Sequence, residues 1–487
     1  MSGVETVLGI DLGTTQAKAG LITLDGALLG LGRAVYPVLT PTAGRAEQDP
    51  ADWWTAIAAA VREALRTASA AGSRAEVRAI SVVGQGPTTV CAAADGTPLR
   101  PAITWLDTRA SAITAELEAR LRVPSWQLGP LPHERWLAAN EPAVHERTAA
   151  FLLPWDWLVL RLTGEAIRSV PPVSGHPADA VLAAGGGDPA RFGRVVEWAT
   201  PVGGLRPDAA AALGLAPGIP VIAGGNDALA SFHGAGMAAP GDAIDTGGTS
   251  GGFAVYWSQR LEIPGTYRAA SAIPGIWLYG GAMNATGKSL DWLRGLLDHT
   301  AQDPADLLAE AARTEPGADG LVFLPYLAGE RSPIWDERAR GVFAGLTLAH
   351  GRGHLARAML EGAAFALRHV AEPIIDAGIE VRAMVVSGGT AATRLWSQVK
   401  ADITGFPLAI PEVPETATLG AAVLAVLGLG AYPDAPAAMH AMVRIAERLE
   451  PRPALQARYD ALYGVYRELY PATVGLVHRL GDIAGAR

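Results

Sequence analysis

The turn Asp11-Leu12-Gly13-Thr14-Thr15 joins two short apolar runs and combines what an anion site needs. Gly13 lets the backbone approach a ligand, successive N–H groups and the Thr14 and Thr15 hydroxyls can face an anion, and Lys18 adds positive charge. A carboxylate in such a turn repels phosphate unless a divalent cation lies between them, so Asp11 implies Mg2+. The same residues also suit an Asx-type hairpin turn with no ligand, and the turn alone leaves both readings open. A second carboxylate, Asp227, follows Gly224-Gly225-Asn226 and begins the apolar helix Ala228-Leu229-Ala230-Ser231-Phe232. A helix N-terminus keeps such a group ionised, and there it could accept a proton from a substrate hydroxyl. Taken alone it could equally be a helix cap.

Three further patterns lead elsewhere. Ala285-Thr286-Gly287-Lys288-Ser289 ends like a phosphate-binding P-loop, but the first glycine would have to stand at Ala282, and Gly281 is one residue too early. Gly248-Thr249-Ser250-Gly251-Gly252 fits the pattern of a hydrolase nucleophile elbow. That elbow must lead into a helix, whereas Phe253–Trp257 reads as a strand. His350 and His354 have metal-ligand spacing without a partner carboxylate or thiolate, and Gly351 and Gly353 between them favour a helix-entry role.

The elements that must position the two aspartates are strands and helices in alternation. Val7–Ile10 and Leu21–Leu24 flank the first turn as a hairpin. Asp49-Pro50 starts a helix, with Trp54, Ile57, Val61 and Leu65 recurring at its spacing. Ala79–Val83 and Val221–Ala223 are strands ending in the glycine turns Gly84-Gln85-Gly86-Pro87 and Gly224-Gly225-Asn226-Asp227. The pattern predicts an α/β fold with a site at those strand ends. Val170 to Asp188, rich in Pro and Gly, reads as a surface excursion. Near Pro240-Gly241 the chain restarts, because Asp245-Thr246-Gly247-Gly248-Thr249-Ser250 partly echoes residues 10–15. Aligning Gly13 with Gly248 sets Thr246 opposite Asp11, so the echo covers the turn and not the carboxylate.

Composition narrows the classes. At 487 residues, 49% hydrophobic and 18% charged, the chain can bury large cores, and disorder is excluded as its main state. A net charge of −9 gives no reason to bind nucleic acid or an anionic membrane. One cysteine, Cys91, excludes an internal disulfide and a cysteine zinc site. The N-terminal apolar stretch meets Asp11 too early for a signal peptide or anchor, and the apolar run Leu419 to Tyr432 falls short of the ~20 residues that span a bilayer. These features predict a cytoplasmic protein.

Several segments together resemble the FGGY family of carbohydrate kinases. Gly341-Val342-Phe343-Ala344-Gly345-Leu346, seven residues, then His354-Leu355-Ala356-Arg357-Ala358-Met359-Leu360-Glu361 is similar to the family's C-terminal signature. Phe323–Pro333, Glu47-Gln48-Asp49-Pro50 with Trp53-Trp54, Trp155–Leu158 with Arg161–Glu165, and Ser387-Gly388-Gly389 are also family-like. The resemblance implies two actin-like (ribonuclease-H-like) ATPase domains with an interdomain cleft, 1–240 for the sugar and 241–487 for the nucleotide. It further implies ATP and Mg2+, a small sugar or polyol as acceptor, and a possible homodimer.

Carried over by position, Asp227 matches the family's catalytic base and Asp11 its magnesium-linked carboxylate. Thr14, Thr15 and Lys18 match the first phosphate segment and Gly248, Thr249 and Ser250 the second. Gly287, Gly388, Gly389 and Thr393 fall where the family holds nucleotide, and Gln85, Gly86, Pro87, Trp105 and Asp107 where it holds sugar. Xylulose kinases usually carry Met-His where this chain has Gly86-Pro87 and Trp-Asn-Asp where it has Trp105-Leu106-Asp107. The polar residue usual after the base is Ala228, and Ser169–Val173 replaces an Asp/Ser-rich segment. The expected acceptor is a pentulose such as D-xylulose, with a polyol such as erythritol, glycerol or a pentitol as the alternative. A non-catalytic sensor, or a chaperone-like or filament-forming ATPase of the same fold, is disfavoured by the intact aspartates and the sugar-facing segment.

Overall fold

The computed structural model describes residues 3–172, 178–247, 250–297, 304–388, 391 and 393–485. These form two compact units, each built on one large sheet. The first sheet contains β1 (Val4–Leu12), β2 (Gln16–Thr23), β3 (Leu28–Val35), β4 (Ala75–Gly84), β5 (Pro201–Gly204) and β6 (Pro220–Ile222), in the order β5-β6-β4-β1-β2-β3. The second contains β7 (Asp242–Asp245), β8 (Gly251–Trp257), β9 (Tyr267–Ala270), β10 (Trp277–Met283), β11 (Ala383–Val386), β12 (Leu408–Pro411) and β13 (Ile445–Leu449), in the order β9-β10-β8-β7-β11-β12-β13. The helices that matter below are α1 (Pro50–Ala70), α2 (Pro154–Thr163), α3 (Asp227–Gly234), α4 (Gly287–Leu297), α5 (Arg352–Asp376), α6 (Arg394–Thr404) and α7 (Thr416–Gly428).

The predicted hairpin is the β1–β2 pair, with Val7 opposite Ile22 and Asp11 opposite Lys18. Helix α1 begins as its sequence predicts, with the Asp49 carboxylate accepting the Ala51 N–H and Pro50 in the first turn. Of the predicted stripe, Ile57 and Val61 are buried. Trp53, Ile57, Ala60 and Ala64 are buried, and Trp54 and Leu65 flank them half-buried. This face packs chiefly over β2 and β3, where a Cβ on Gly32 would stand 1.9 Å from Ala60 O, and joins Leu8, Ile10 and Leu12 of β1 in one core. Part of the predicted surface excursion, 173–177, lies outside the described residues, and Ala178–Ala184 within it is helical.

Five strands of each sheet match in order and sense. In β6-β4-β1-β2-β3 and in β12-β11-β7-β8-β10, the central strand pairs antiparallel with the next strand in sequence and parallel with a later one. This repeat is the structural content of the echo, but its register differs from the one the glycines suggested. The Gly13 N–H bonds to Gln16 O, whereas the Thr246 N–H bonds to Gly252 O. Gly13 therefore corresponds to Thr246 and not to Gly248, and the second turn is longer by three residues.

The compact units do not follow one cut in the chain. Glu415–Val443 belongs with residues 1–236 and 272–274, while 237–271, 275–414 and 444–487 form the second unit. The halves 1–240 and 241–487 differ from these units at α7, which packs with the first. Bare glycine backbone is the reason α7 fits in the first unit: a Cβ on Gly9 would stand 2.3 Å from Thr418 O, and one on Gly420 1.9 Å from Ala230 O. Among the described residues no helix is long and apolar enough to cross a membrane.

Candidate active site

In the first unit β1, β4 and β6 run parallel, so their C-terminal ends share one edge of the sheet. Asp11, Gln85 and Asp227 belong to these ends. The Gln85 N–H donates to Leu12 O at 2.9 Å, and the Gly84 N–H donates to Gly225 O at 2.9 Å. Strand ends that gather in this way are where α/β sheets bind ligands.

Asp11 is buried, and Lys18 approaches its Oδ2 at 3.5 Å from the facing position of the hairpin. Its Oδ1 is sealed from solvent without a hydrogen-bond partner among the described residues. Burial pushes the Asp11 carboxyl above its ordinary value against the pull of Lys18, and Glu415 pushes in the same direction as burial. Asp227 is the first residue of α3, but it is not the cap. Asn226 holds that place, its side chain accepting the Leu229 N–H at 3.2 Å. The Asp227 carboxylate accepts the Ala228 N–H at 2.7 Å. Desolvation and then the negative charge of Asp11 push its carboxyl up to about 7.

Two residues that sequence reasoning did not single out brace this edge. The Tyr36 hydroxyl donates to Gly13 O. Gln48 donates from Nε2 to Thr14 O at 2.7 Å and accepts at Oε1 from Gln85 Nε2 at 2.6 Å and Trp53 Nε1 at 3.3 Å. The family-like segment Glu47-Gln48-Asp49-Pro50 is the sequence signal for Gln48; Tyr36 gave none. Trp105 is half-exposed and donates from its indole nitrogen to Thr14 Oγ1 at 3.0 Å, which ties the predicted sugar segment to the first turn. Gly86 lies against Trp155, whose ring a Cβ there would meet at 2.9 Å.

Asp107 is differently disposed. Its Oδ2 accepts the Ala46 N–H at 2.7 Å, and Arg109 engages both oxygens while also reaching Glu47 at 2.6 Å. Burial acts to raise this carboxyl, but Arg109 outweighs it and holds Asp107 below the usual carboxylate range. The carboxylate is thus committed to bracing its own loop.

In the second unit Gly287 opens α4 and Thr393 precedes α6. Gly388 has φ +67°, where glycine alone is unstrained, and its N–H donates to Pro414 O at 3.1 Å. Ser250 leads into β8; Gly248, Thr249 and Gly389 lie outside the described residues. Residues 251–257 form a strand and Gly281 lies inside β10, as expected if neither the nucleophile elbow nor the P-loop forms. His354 Nδ1 accepts the Gly351 N–H at the entry to α5, which gives that histidine its helix-entry role.

Two mirrored sheets of this order, with acidic and glycine-rich strand ends, define the duplicated actin-like ATPase architecture. The N-terminal domain of the FGGY family of carbohydrate kinases matches residues 6–234, and the C-terminal domain of that family matches residues 245–429. The chain belongs to the FGGY family and is a carbohydrate kinase. It is 31% identical to a xylulose kinase of Staphylococcus epidermidis over 96% of this chain and 97% of that protein. A gluconokinase of Bacillus subtilis is 27% identical over 87% of this chain and 88% of its own. Among solved structures, a xylulose kinase of Rhodospirillum rubrum superposes with a TM-score of 0.79 at 32% identity, covering 97% of this chain and all of the other.

Proposed function

We propose that this kinase transfers the γ-phosphoryl group of ATP to a hydroxyl of a pentulose such as D-xylulose, with Asp227 as the general base. The observation that carries the reading is the state of Asp227. A neighbouring asparagine caps the helix, so its carboxylate is not consumed as a cap, and its pKa of about 7 suits proton transfer near neutrality. Gln85 and Trp105, with the Gly86-Pro87 turn, would orient the acceptor on the first unit. Asp107 would act indirectly, by holding the Trp105 loop.

The donor would be held by Thr14, Thr15 and Lys18 on the first unit, and by Gly248, Thr249, Ser250, Gly287, Gly388, Gly389 and Thr393 on the second. Asp11 suits Mg2+: its Oδ1 is a buried acceptor without a partner among the described residues, and a cation there would offset the Asp11 charge that raises Asp227. When bound, the ion would neutralise phosphate charge. Phosphoryl transfer has a loose transition state, so positioning and charge neutralisation account for most of its catalysis.

A polyol is the second reading, favoured by the absence of polar side chains at Gly86, Pro87, Leu106 and Ala228. The test is an ADP-release assay with Mg2+ and ATP across ketoses, aldoses and polyols, with gluconate added because of the gluconokinase relative. D-xylulose as the strong acceptor is the expected result. A polyol or gluconate in its place would overturn the pentulose assignment, and ADP release that ignores every acceptor would overturn the base assignment as well.

A further inference from the structure

The first turn is held from beneath at three successive carbonyls. The Tyr36 hydroxyl donates to Gly13 O, Gln48 Nε2 donates to Thr14 O at 2.7 Å, and the Tyr36 N–H donates to Thr15 O at 3.1 Å. Tyr36 and Gln48 are both buried, so these bonds draw the carbonyls into the unit. A trans peptide sets its N–H opposite its C=O. The Gly13 and Thr14 carbonyls share their peptides with the Thr14 and Thr15 N–H groups, and neither peptide is cis. Drawing the two oxygens inward therefore turns those two N–H groups outward. Neither N–H has an acceptor among the described residues, whereas the Gly13 N–H is taken by Gln16 O.

The braces have their own direction fixed. The Trp53 indole can only donate, and it meets Gln48 Oε1 at 3.3 Å, where Gln85 Nε2 also arrives at 2.6 Å. The oxygen end of Gln48 is thereby identified. Its Nε2 must face Thr14 O and, at 3.3 Å, Pro37 O, both of which can only accept. Burial, and then the charges of Asp11 and Asp227, raise the Tyr36 hydroxyl above its ordinary value, so it keeps its proton and donates. A flipped peptide would put a carbonyl oxygen where an N–H stands and would repel an anion.

We propose that Tyr36 and Gln48 are positioning residues for the donor phosphates, acting through the Gly13 and Thr14 carbonyls. They fix the polarity of two peptides, so that the turn presents N–H groups and not oxygens. The inference rests on the reading above, in which this turn holds phosphate.

Steady-state kinetics of the full chain test it, with D-xylulose or the acceptor that replaces it in the ADP-release assay. Tyr36→Phe removes one hydroxyl, and Gln48→Met keeps length while losing the donor. Each should raise the KM for ATP at least ~fivefold, the scale of one hydrogen bond. Because Gln48→Met also frees Gln85, selectivity is read on Tyr36→Phe, whose KM for the acceptor should stay within about twofold of the parent. Plain loosening of the strand ends would move both KM values together, and parallel changes in Tyr36→Phe overturn the proposal. An ATP KM within about twofold of the parent in either variant overturns the role of that residue. If Gln48→Met does not fold, Tyr36→Phe alone decides. Thr15→Val removes an exposed hydroxyl from the same turn and touches neither brace. An ATP KM raised by Thr15→Val but not by Tyr36→Phe sinks the positioning role alone. An ATP KM that neither variant moves sinks the reading of the turn as well.

Discussion

At the scale of single residues, the chemistry converges on two carboxylates, Asp11 and Asp227, both raised by burial, with the charge of Asp11 raising Asp227 further. Asp227→Asn removes the proposed base while keeping size and hydrogen-bonding capacity, so kcat should fall at least ~100-fold with nucleotide affinity barely changed. Steady-state kinetics beside nucleotide titration check this, and near-parental kcat would exclude Asp227 from proton transfer. The pH dependence follows from the same group. A base must be ionised, and the pKa of about 7 means that protonation removes it as pH falls through neutrality. The kcat profile should therefore show an acid limb above the ordinary carboxylate range and no higher than about 7, since Mg2+ at Asp11 offsets part of the shift; a limb at the ordinary carboxylate value would show that neither burial nor the charge of Asp11 is felt there. Asp11→Ala should disturb magnesium dependence, read as a raised Mg2+ requirement in the ADP-release assay.

At the scale of elements, α2 shows how a buried acid reports on packing. Asp156 is 1% exposed; its Oδ1 accepts the Ser169 N–H at 3.0 Å, and its Oδ2 has no partner among the described residues. Burial pushes this carboxyl up to about 8, against the opposing pull of Ser169 and Arg168. Between pH 4 and that value the folded chain thus holds a proton that the unfolded chain releases. Stability must then decline as pH rises through the window. Asp156→Asn, which cannot titrate, should lose less Tm than the parent between pH 5 and pH 8. Equal losses in thermal scans of the two proteins would remove Asp156 as the source. Element boundaries at α1 and the first hairpin were readable because Asp49-Pro50 and Gly13 act locally, within a few residues. That α1 buries Trp53 and leaves Trp54 half-buried was not readable, because it depends on how the helix rolls against the sheet.

At the scale of the whole molecule, the compact units interleave along the chain. Residues 1–240 alone would leave bare the β1 and α3 backbone that α7 covers through Gly9, Gly234 and Gly420. A fragment ending at 240 should therefore lack a cooperative melt. The same fragment joined by a flexible linker to 415–443 should regain one. Calorimetry of both checks this, and a cooperative melt of the short fragment would show that α7 is dispensable to the first unit.

The sequence determined what short-range chemistry and motif order can carry: the α/β class, the glycine-rich strand ends, the paired aspartates, and membership of a kinase family through signatures spread along the chain. Only the tertiary structure decided the rest. It matched Gly13 to Thr246 and not to Gly248, which sets Asp245 at the place of Leu12, because register depends on ladder hydrogen bonds between strands about 140 residues apart. It committed Asp107 to Arg109, a choice that no spacing reveals. It returned α7 to the first unit, because an Ala/Gly-rich helix has no strong face of its own, and its glycines pack only where another backbone comes close enough to use the space.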